Sequence, residues 1–249
     1  MKIKKFLTSL CVAVASMIFV AAAEEQTIYI IQETEKPVRQ LLQPNPPWKA
    51  YPVVYFQPGI WAGFPSSMDE SQVYGIKSGW PICSGYGIVE GVEVSWLGSA
   101  TDYIYGIQGS WLYCDNRECM GLQAALGVCN NRNYLDGVQA SLVYNQAGDV
   151  RGLQAGLVNV AGDFIGFQPA AVLNVADELK GVQASVLLNV ANYFEGLQTS
   201  LISVDSSLQG GKGMQLGLIN IGGCGIQFGL LNIMDDGILP CCPIVNFKL

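Results

Sequence analysis

Short apolar runs alternate with polar corners at a regular spacing along most of this 249-residue chain. The clearest unit runs from Gly152 to Val160 with the sequence Gly-Leu-Gln-Ala-Gly-Leu-Val-Asn-Val, and the polar corner Ala161-Gly162-Asp163 follows it. Val, Ile, Leu and aromatic residues between Gly, Asn and Asp are typical of strands rather than helices. Each unit of about 15 residues therefore predicts two short strands and two corners.

A glycine followed by an apolar residue and then Gln, Glu or Lys opens each unit. Eleven glycines fit this rule: Gly75, Gly91, Gly106, Gly121, Gly137, Gly152, Gly166, Gly181, Gly196, Gly213 and Gly225. A unit this short has no room for a βαβ crossover and cannot bury its own apolar positions, so stability must come from stacking on neighbouring units. The spacing predicts a repeat protein.

Two stacking topologies could bury these units. In an antiparallel meander or barrel, equivalent residues land on alternate edges of the sheet, whereas in a parallel coil they lie above one another, about 4.8 Å apart. Like residues recur in consecutive units, including three tryptophans at position 6 counted from the glycine and glutamine at position 3 of nine units. In-register stacking favours such columns, and amides can form ladders along them. We predict an all-β parallel β-solenoid of about eleven 15-residue coils, with an antiparallel β-meander or barrel as the alternative.

The N-terminal residues 1–23 differ from the repeats. Three lysines near the start precede an apolar run that ends in Ala21-Ala22-Ala23. This order of charge, apolar run and small residues is typical of a cleaved signal peptide. No later run is long and apolar enough to predict a transmembrane helix.

The remaining chain divides into three parts. Residues 24–72 hold a predicted strand at Thr27 to Gln32, a Pro-rich linker and a cap, residues 73–236 hold the repeat array, and residues 237–249 form a C-terminal cap. Terminal repeats are commonly atypical because they must cover an open sheet edge.

The closing segment and the repeat together carry a family resemblance. Gly152 to Asn159, Gly213 to Asn220 and Gly225 to Asn232 share a Gly-apolar-Gln-x-Gly-Leu-x-Asn pattern, and Gly237 to Phe247 reads Gly-x-Leu-Pro…Pro…Asn-Phe. This combination, over roughly residues 73 to 249, resembles the uncharacterised bacterial surface-repeat proteins. The resemblance implies an exported envelope protein without catalytic residues.

Acidic residues outnumber basic ones. The chain has 20 Asp and Glu against 13 Lys and Arg, and removing the signal peptide removes three lysines, which leaves a net charge of about −10. Affinity for nucleic acid comes mainly from Lys and Arg on phosphates, so we predict no nucleic-acid partner. The same balance argues against binding anionic membrane surfaces.

Seven of the eight cysteines follow the predicted signal peptide. Export to an oxidising compartment makes them candidates for disulfides. In a parallel coil Cys114 and Cys129 share a column on adjacent coils, inside the Cα separation that a disulfide allows. Cys119 competes for Cys114 through a short loop, and the other interpretation is that these are buried free thiols.

Trp80, Trp96 and Trp111 occupy position 6 of consecutive units. An exposed strip of this kind could stack on the sugar rings of an extended glycan. Leucine and valine hold the same position in later units, which favours the interpretation that the indoles fill the core.

The chain contains no histidine, which removes the commonest general base and metal ligand. Carboxylates recur near one corner of the units: Asp102, Asp136, Asp149, Asp163, Asp177, Glu178 and Glu195. Turn chemistry and solubility explain this row, because Asp favours turns and like charges discourage association. A calcium ladder is the sharper alternative, but the Gly-Gly-x-Gly-x-Asp repeat is absent. We predict no catalytic residue, cofactor or metal.

These patterns predict an exported, noncatalytic structural or binding repeat protein of the bacterial cell envelope or surface. It would lie in the periplasm, on the outer membrane surface or outside the cell, with an unknown protein or glycan as partner. An outer-membrane β-barrel and a β-helical carbohydrate-active enzyme are the alternatives.

Overall fold

The computed structural model describes residues 52–69, 71–206, 212–223, 225–234 and 237–248. The predicted signal peptide and the predicted strand at Thr27 to Gln32 lie outside these ranges. The described part is built almost wholly of strands, with one 3-10 turn at Ser66–Met68.

Thirteen strands form one sheet. They are β1 (Val53–Gly59), β2 (Gln72–Gly79), β3 (Ile82–Ser95), β4 (Gly98–Ser110), β5 (Tyr113–Ala125), β6 (Val128–Ser141), β7 (Tyr144–Ser185), β8 (Leu188–Thr199), β9 (Ile202–Asp205), β10 (Lys212–Leu216), β11 (Ile219–Ile221), β12 (Ile226–Ile233) and β13 (Cys241–Phe247). Strand β7 is long because the backbone passes through several coils without a break in pairing.

Neighbouring coils pair in parallel and in register. Gly121 lies beside Gly137 and Gln123 beside Gln139 in the β5–β6 pair. Each pairing among β1 to β12 is parallel within the described residues. The chain is therefore a parallel β-solenoid of about twelve turns, which confirms the predicted topology over the antiparallel meander or barrel.

The parallel stacking begins earlier than residue 73. Strand β1 pairs in parallel with β2, and Gln57 lies beside Lys77 in the column that glutamine fills in later coils. Two residues before Gln57, where later units have their glycine, this first coil has Tyr55. Because this coil has tyrosine in place of the repeat glycine, the Gly-apolar-Gln pattern does not detect it.

The repeat glycines meet a strict steric requirement. From Gly75 to Gly196, nine of them have φ between 133° and 149°, a backbone region that L side chains rarely adopt. A Cβ on Gly152 would fall far closer than 3.0 Å to the carbonyl oxygen of Gly137 in the preceding coil. Each glycine thus lets one coil lie directly on the previous one.

A column of large apolar side chains forms the main hydrophobic core. It lies two residues before each repeat glycine and consists of Val73, Val89, Ile104, Cys119, Leu135, Val150, Phe164, Leu179 and Phe194. These side chains are all but fully buried, and alanines such as Ala161 and Ala176 pack against them in the later coils. One apolar column is narrow for a core, so other side chains must fill the rest of the interior.

The last parallel strand is covered by an antiparallel one. Strand β13 pairs antiparallel with β12, with Phe247 beside Ile226 and Cys241 beside Ile233. The Asn246 side chain is buried and donates from Nδ2 to the Leu239 carbonyl at 2.9 Å.

Candidate functional site

Glutamine fills a second, fully buried column of the interior. The nine residues are Gln108, Gln123, Gln139, Gln154, Gln168, Gln183, Gln198, Gln215 and Gln227. Each Nε2 after Gln108 donates to the Oε1 of the glutamine one coil earlier, at 2.7–3.0 Å. The second N–H of several glutamines reaches a backbone carbonyl, as Gln154 does at Val160. The predicted amide ladder is confirmed, and buried amides with hydrogen-bond partners avoid the cost of desolvated polar groups.

Asparagine forms a second ladder that runs in the opposite direction. Asn145 Nδ2 donates to Asn159 Oδ1 at 2.8 Å, and Asn159 donates to Asn174 at 3.0 Å. The same contact joins Asn174 to Asn189, and Asn220 to Asn232. Donation thus runs toward the C terminus here and toward the N terminus in the glutamine ladder. The two rows of amide dipoles therefore oppose each other along the coil axis.

The cysteine pair belongs to this asparagine column. Cys114 lies beside Cys129, and Cys129 lies beside Asn145. Both thiols are buried and free in the structure, so the predicted disulfide is not formed. Cys114 donates to the Ala124 carbonyl at 3.2 Å and Cys129 to the Ala140 carbonyl at 3.4 Å. They take the place of the asparagine amides as small donors to the opposite backbone.

The hydrogen bond between the two thiols shifts their pKa values in opposite directions, and it lowers the pKa of Cys114 despite burial. The contact with Cys114 and burial raise the pKa of Cys129, and burial raises the pKa of Cys119 to about 12. The remaining described cysteines, Cys83, Cys241 and Cys242, are free as well.

Two charged residues interrupt the glutamine column at its N-terminal end. Lys77 and Glu93 occupy consecutive coils there and are almost fully buried. Lys77 Nζ donates to the Ser84 carbonyl at 2.6 Å, the Met68 carbonyl at 3.2 Å and Thr101 Oγ1 at 2.9 Å. Glu93 Oε1 accepts from Gln108 Nε2 at 3.3 Å, whereas Oε2 has no hydrogen-bond partner. Both residues lie two positions after a repeat glycine, so the sequence places them in the glutamine column. The structure adds that they are buried there.

The Glu93 carboxyl should make the stability of the array pH-dependent. Burial raises the pKa of Glu93 above its ordinary 4.5, and the positive charge of Lys77 offsets this only in part. A raised folded-state pKa gives stability that is fully present below about pH 4.5 and is lost as the pH rises through the folded-state pKa. We expect Glu93→Gln to remove this loss. Urea unfolding at several pH values measures it, with exposed Glu90→Gln as the control, and equal pH slopes for wild type and Glu93→Gln would contradict the assignment.

The tryptophans point outward, so the interpretation that they fill the core is wrong. Trp80, Trp96 and Trp111 are 46–64% exposed. Position 6 lies where the coil bends, and the inward-facing place before it is taken by a small residue such as Gly156, whose Cβ would meet the Asn145 amide. The bend ends the in-out alternation of the strand and turns position 6 to solvent.

The rings of Trp80 and Trp96 stack on each other. Their centroids are 4.8 Å apart with an interplanar angle of 17°. This distance equals the spacing of about 4.8 Å between strands, so the ring planes face one another along the coil axis. Edges rather than faces of these indoles point outward, which is unfavourable for stacking on sugars.

Exposure of apolar residues continues along the whole array. Position 6 is exposed in all eleven units: Trp80, Trp96, Trp111, Leu126, Leu142, Leu157, Ala171, Val186, Leu201, Leu218 and Leu230. Position 2 adds further exposed apolar side chains, including Ile107, Leu122 and Phe167. We call the outward-pointing residues from position 2 to position 7 the apolar face.

The apolar face carries no charge. Between each repeat glycine and the Asn, Cys or Ser column, the eleven units hold no charged residue other than Lys77 and Glu93, and both of those point inward. The sequence contains this signal as a charge-free stretch in nine of the eleven units, and it was missed because apolar residues were assigned to the core.

Charges are gathered on the other part of each coil. Asp102 pairs with Arg117 at 3.3 Å and Asp115 pairs with Arg132. Burial and the neighbouring Asp149 and Glu178 raise the pKa of Asp163. Within the described ranges, no group of three or more Cys, Asp or Glu side chains is placed to hold a metal ion.

No protein-family model, curated protein or solved structure matches this chain. The resemblance to bacterial surface-repeat proteins therefore stays a prediction. None of the helical turns within the described residues is long and apolar enough to cross a membrane. The fold and its surface define a parallel β-solenoid with a polar, hydrogen-bonded interior and a charge-free face.

Proposed function

We propose that this chain is an exported, noncatalytic structural or binding repeat protein of the bacterial cell envelope or surface. The observation that carries the proposal is the apolar face. Monomeric proteins rarely expose long apolar patches, and such patches usually mark interaction sites. The signal-like residues 1–23 support export.

Many of the side chains that could take part in a reaction are buried in the interior, where a substrate cannot reach them. The amides of the two ladders, the thiols of Cys114 and Cys129, and the charged residues Lys77 and Glu93 are buried. Several carboxylates on the charged side are paired with arginine or spread along the coils. A catalytic pair of carboxylates needs two groups that converge on one bond. A scaffold that presents a surface accounts better for this distribution.

Expression of the full-length chain in a Gram-negative bacterium tests the export half of the proposal. We expect cleavage after Ala23, a mature N terminus at Glu24, and protein outside the cytoplasm. Leu10→Arg combined with Val14→Arg breaks the apolar run and should leave the chain uncleaved inside the cell. An uncleaved cytoplasmic wild-type chain would contradict export.

Incubation with envelope polysaccharides tests the noncatalytic half. We expect no release of sugars. Release that is lost in Asp163→Asn or Glu178→Gln would assign an enzymatic role instead.

A further inference from the structure

The apolar face leaves exposed apolar area that a partner should cover. Trp80 and Leu142 are each 64% exposed, and Trp111 is 61% exposed. We propose that the partner is a second copy of this chain, and that two solenoids pair through their apolar faces in antiparallel orientation. This pairing does not depend on where in the cell the protein resides.

The distribution of charge favours a second copy. The net charge of the chain is −7, so two copies repel each other through most of their surfaces. Exposed charges lie only outside the apolar face, as with Asp149, Asp163 and Glu178. Two copies that meet through the apolar faces keep these like charges apart and desolvate none of them.

The area of the face is sufficient for a stable dimer. Eleven coils spaced by about 4.8 Å extend over about 50 Å, and the five residue steps from position 2 to position 7 of each coil span about 15 Å. The face therefore covers about 750 Å² on each copy, close to the roughly 800 Å² per partner of a standard specific interface.

Other occupants fit the face less well. A glycan needs hydrogen-bonding side chains beside its aromatic platforms, and the stacked Trp80 and Trp96 offer ring edges. Proteins that lie on a lipid surface usually flank the apolar side with an excess of Lys and Arg. Here the exposed residues directly before the repeat glycines are of mixed charge, as Asp136, Arg151 and Lys180 show. A second copy supplies the same charge-free, apolar chemistry.

Side-chain size along position 6 favours the antiparallel orientation. Bulky indoles occupy the N-terminal end, at Trp80, Trp96 and Trp111, whereas smaller aliphatic residues such as Leu218 and Leu230 occupy the other end. A parallel pair would place indole on indole at one end and leave a gap at the other. An antiparallel pair places indoles on the aliphatic end, and the sixth of the eleven residues, Leu157, meets its own copy.

Sedimentation velocity of the full-length chain, purified in the form that accumulates in a bacterium, tests the pairing. We expect a dimer for wild type and a monomer for Leu142→Glu combined with Leu157→Glu. Two unpaired carboxylates per copy at a dry interface should weaken association by at least about 100-fold. Ile165→Glu is the matched control, because Ile165 is 46% exposed on the charged side and its replacement should leave the dimer intact.

A wild-type monomer at micromolar concentration would overturn the proposal, as would a dimer that survives both glutamates. Binding of that monomer to phosphatidylcholine vesicles would assign the face to lipid. Circular dichroism establishes that each variant keeps its strands.

Cross-linking tests the pairing without charged substitutions. In a Cys241→Ser, Cys242→Ser background, Leu157→Cys should form a disulfide-linked dimer on mild oxidation and Trp80→Cys should not. Linkage through Trp80→Cys alone would overturn the antiparallel arrangement, and no linkage at either position would overturn the pairing.

Discussion

Replacement of Gly152 by alanine should destabilise the solenoid by about 4 kcal/mol or more, which is among the largest effects of a single methyl group. The substitution forces a side chain onto a residue with φ of 133° and brings its Cβ against the Gly137 carbonyl oxygen. Backbone strain of this kind costs about 1–3 kcal/mol and overpacking adds about 1–3 kcal/mol. Neither neighbouring coil can move away without breaking the parallel ladder.

Thermal unfolding followed by circular dichroism measures this loss. We expect the midpoint of Gly152→Ala to fall by roughly 10 °C or more, or the variant to fail to accumulate. Gly109→Ala is the matched control, since its Cβ would lie 3.9 Å from Val94 Cγ1 and 4.0 Å from the Ala124 carbonyl oxygen. Equal midpoints for the two variants would show that the coils do not stack glycine on glycine.

Gln154→Leu should have the second-largest effect, on the order of 3 kcal/mol. The Gln154 amide donates to Gln139 Oε1 at 2.8 Å and accepts from Gln168 Nε2 at 2.7 Å. Leucine has nearly the same volume but leaves an acceptor on one side and a donor on the other without partners. Each unsatisfied buried group costs about 1–3 kcal/mol, which exceeds the gain from one more apolar side chain.

Urea unfolding of Gln154→Leu measures the loss, and Gln146→Leu serves as the control. Gln146 is a half-buried residue outside the ladder whose Oε1 accepts only a contact from the Tyr144 hydroxyl at 3.2 Å. We expect a change within about 0.5 kcal/mol for the control. A Gln154→Leu variant as stable as wild type would show that the ladder is dispensable.

The topology could be predicted from the sequence because parallel, in-register stacking favours like residues at the same position of consecutive units. Gln139, Gln154 and Gln168 recur at one place in the unit since each amide needs the next one as its partner. The glycine column recurs since each coil lies on a backbone carbonyl. Tyr55 supports this account, because it takes the glycine position in the first described coil, where no earlier described coil lies in front of it.

The surface could not be predicted in the same way. A column of like residues shows that coils are in register but not whether the column points inward or outward. At Leu142 and Val143 the coil bends, so two consecutive residues are exposed and the alternation of a strand no longer decides burial. The sequence predicts a disulfide because Cys114 and Cys129 share a column. The structure shows that Asn145 continues the same column, so the two thiols occupy places that asparagine amides fill in later coils.

Exchange of the side-chain amide protons of glutamine, followed by NMR in deuterated water, tests the buried ladder most directly. The account predicts that the amides of Gln123 to Gln198 in the column stay protonated for hours, while the Gln146 amide exchanges at the rate of a free side chain. Exchange of the column amides as fast as that of Gln146 would contradict a solenoid built around hydrogen-bonded amides.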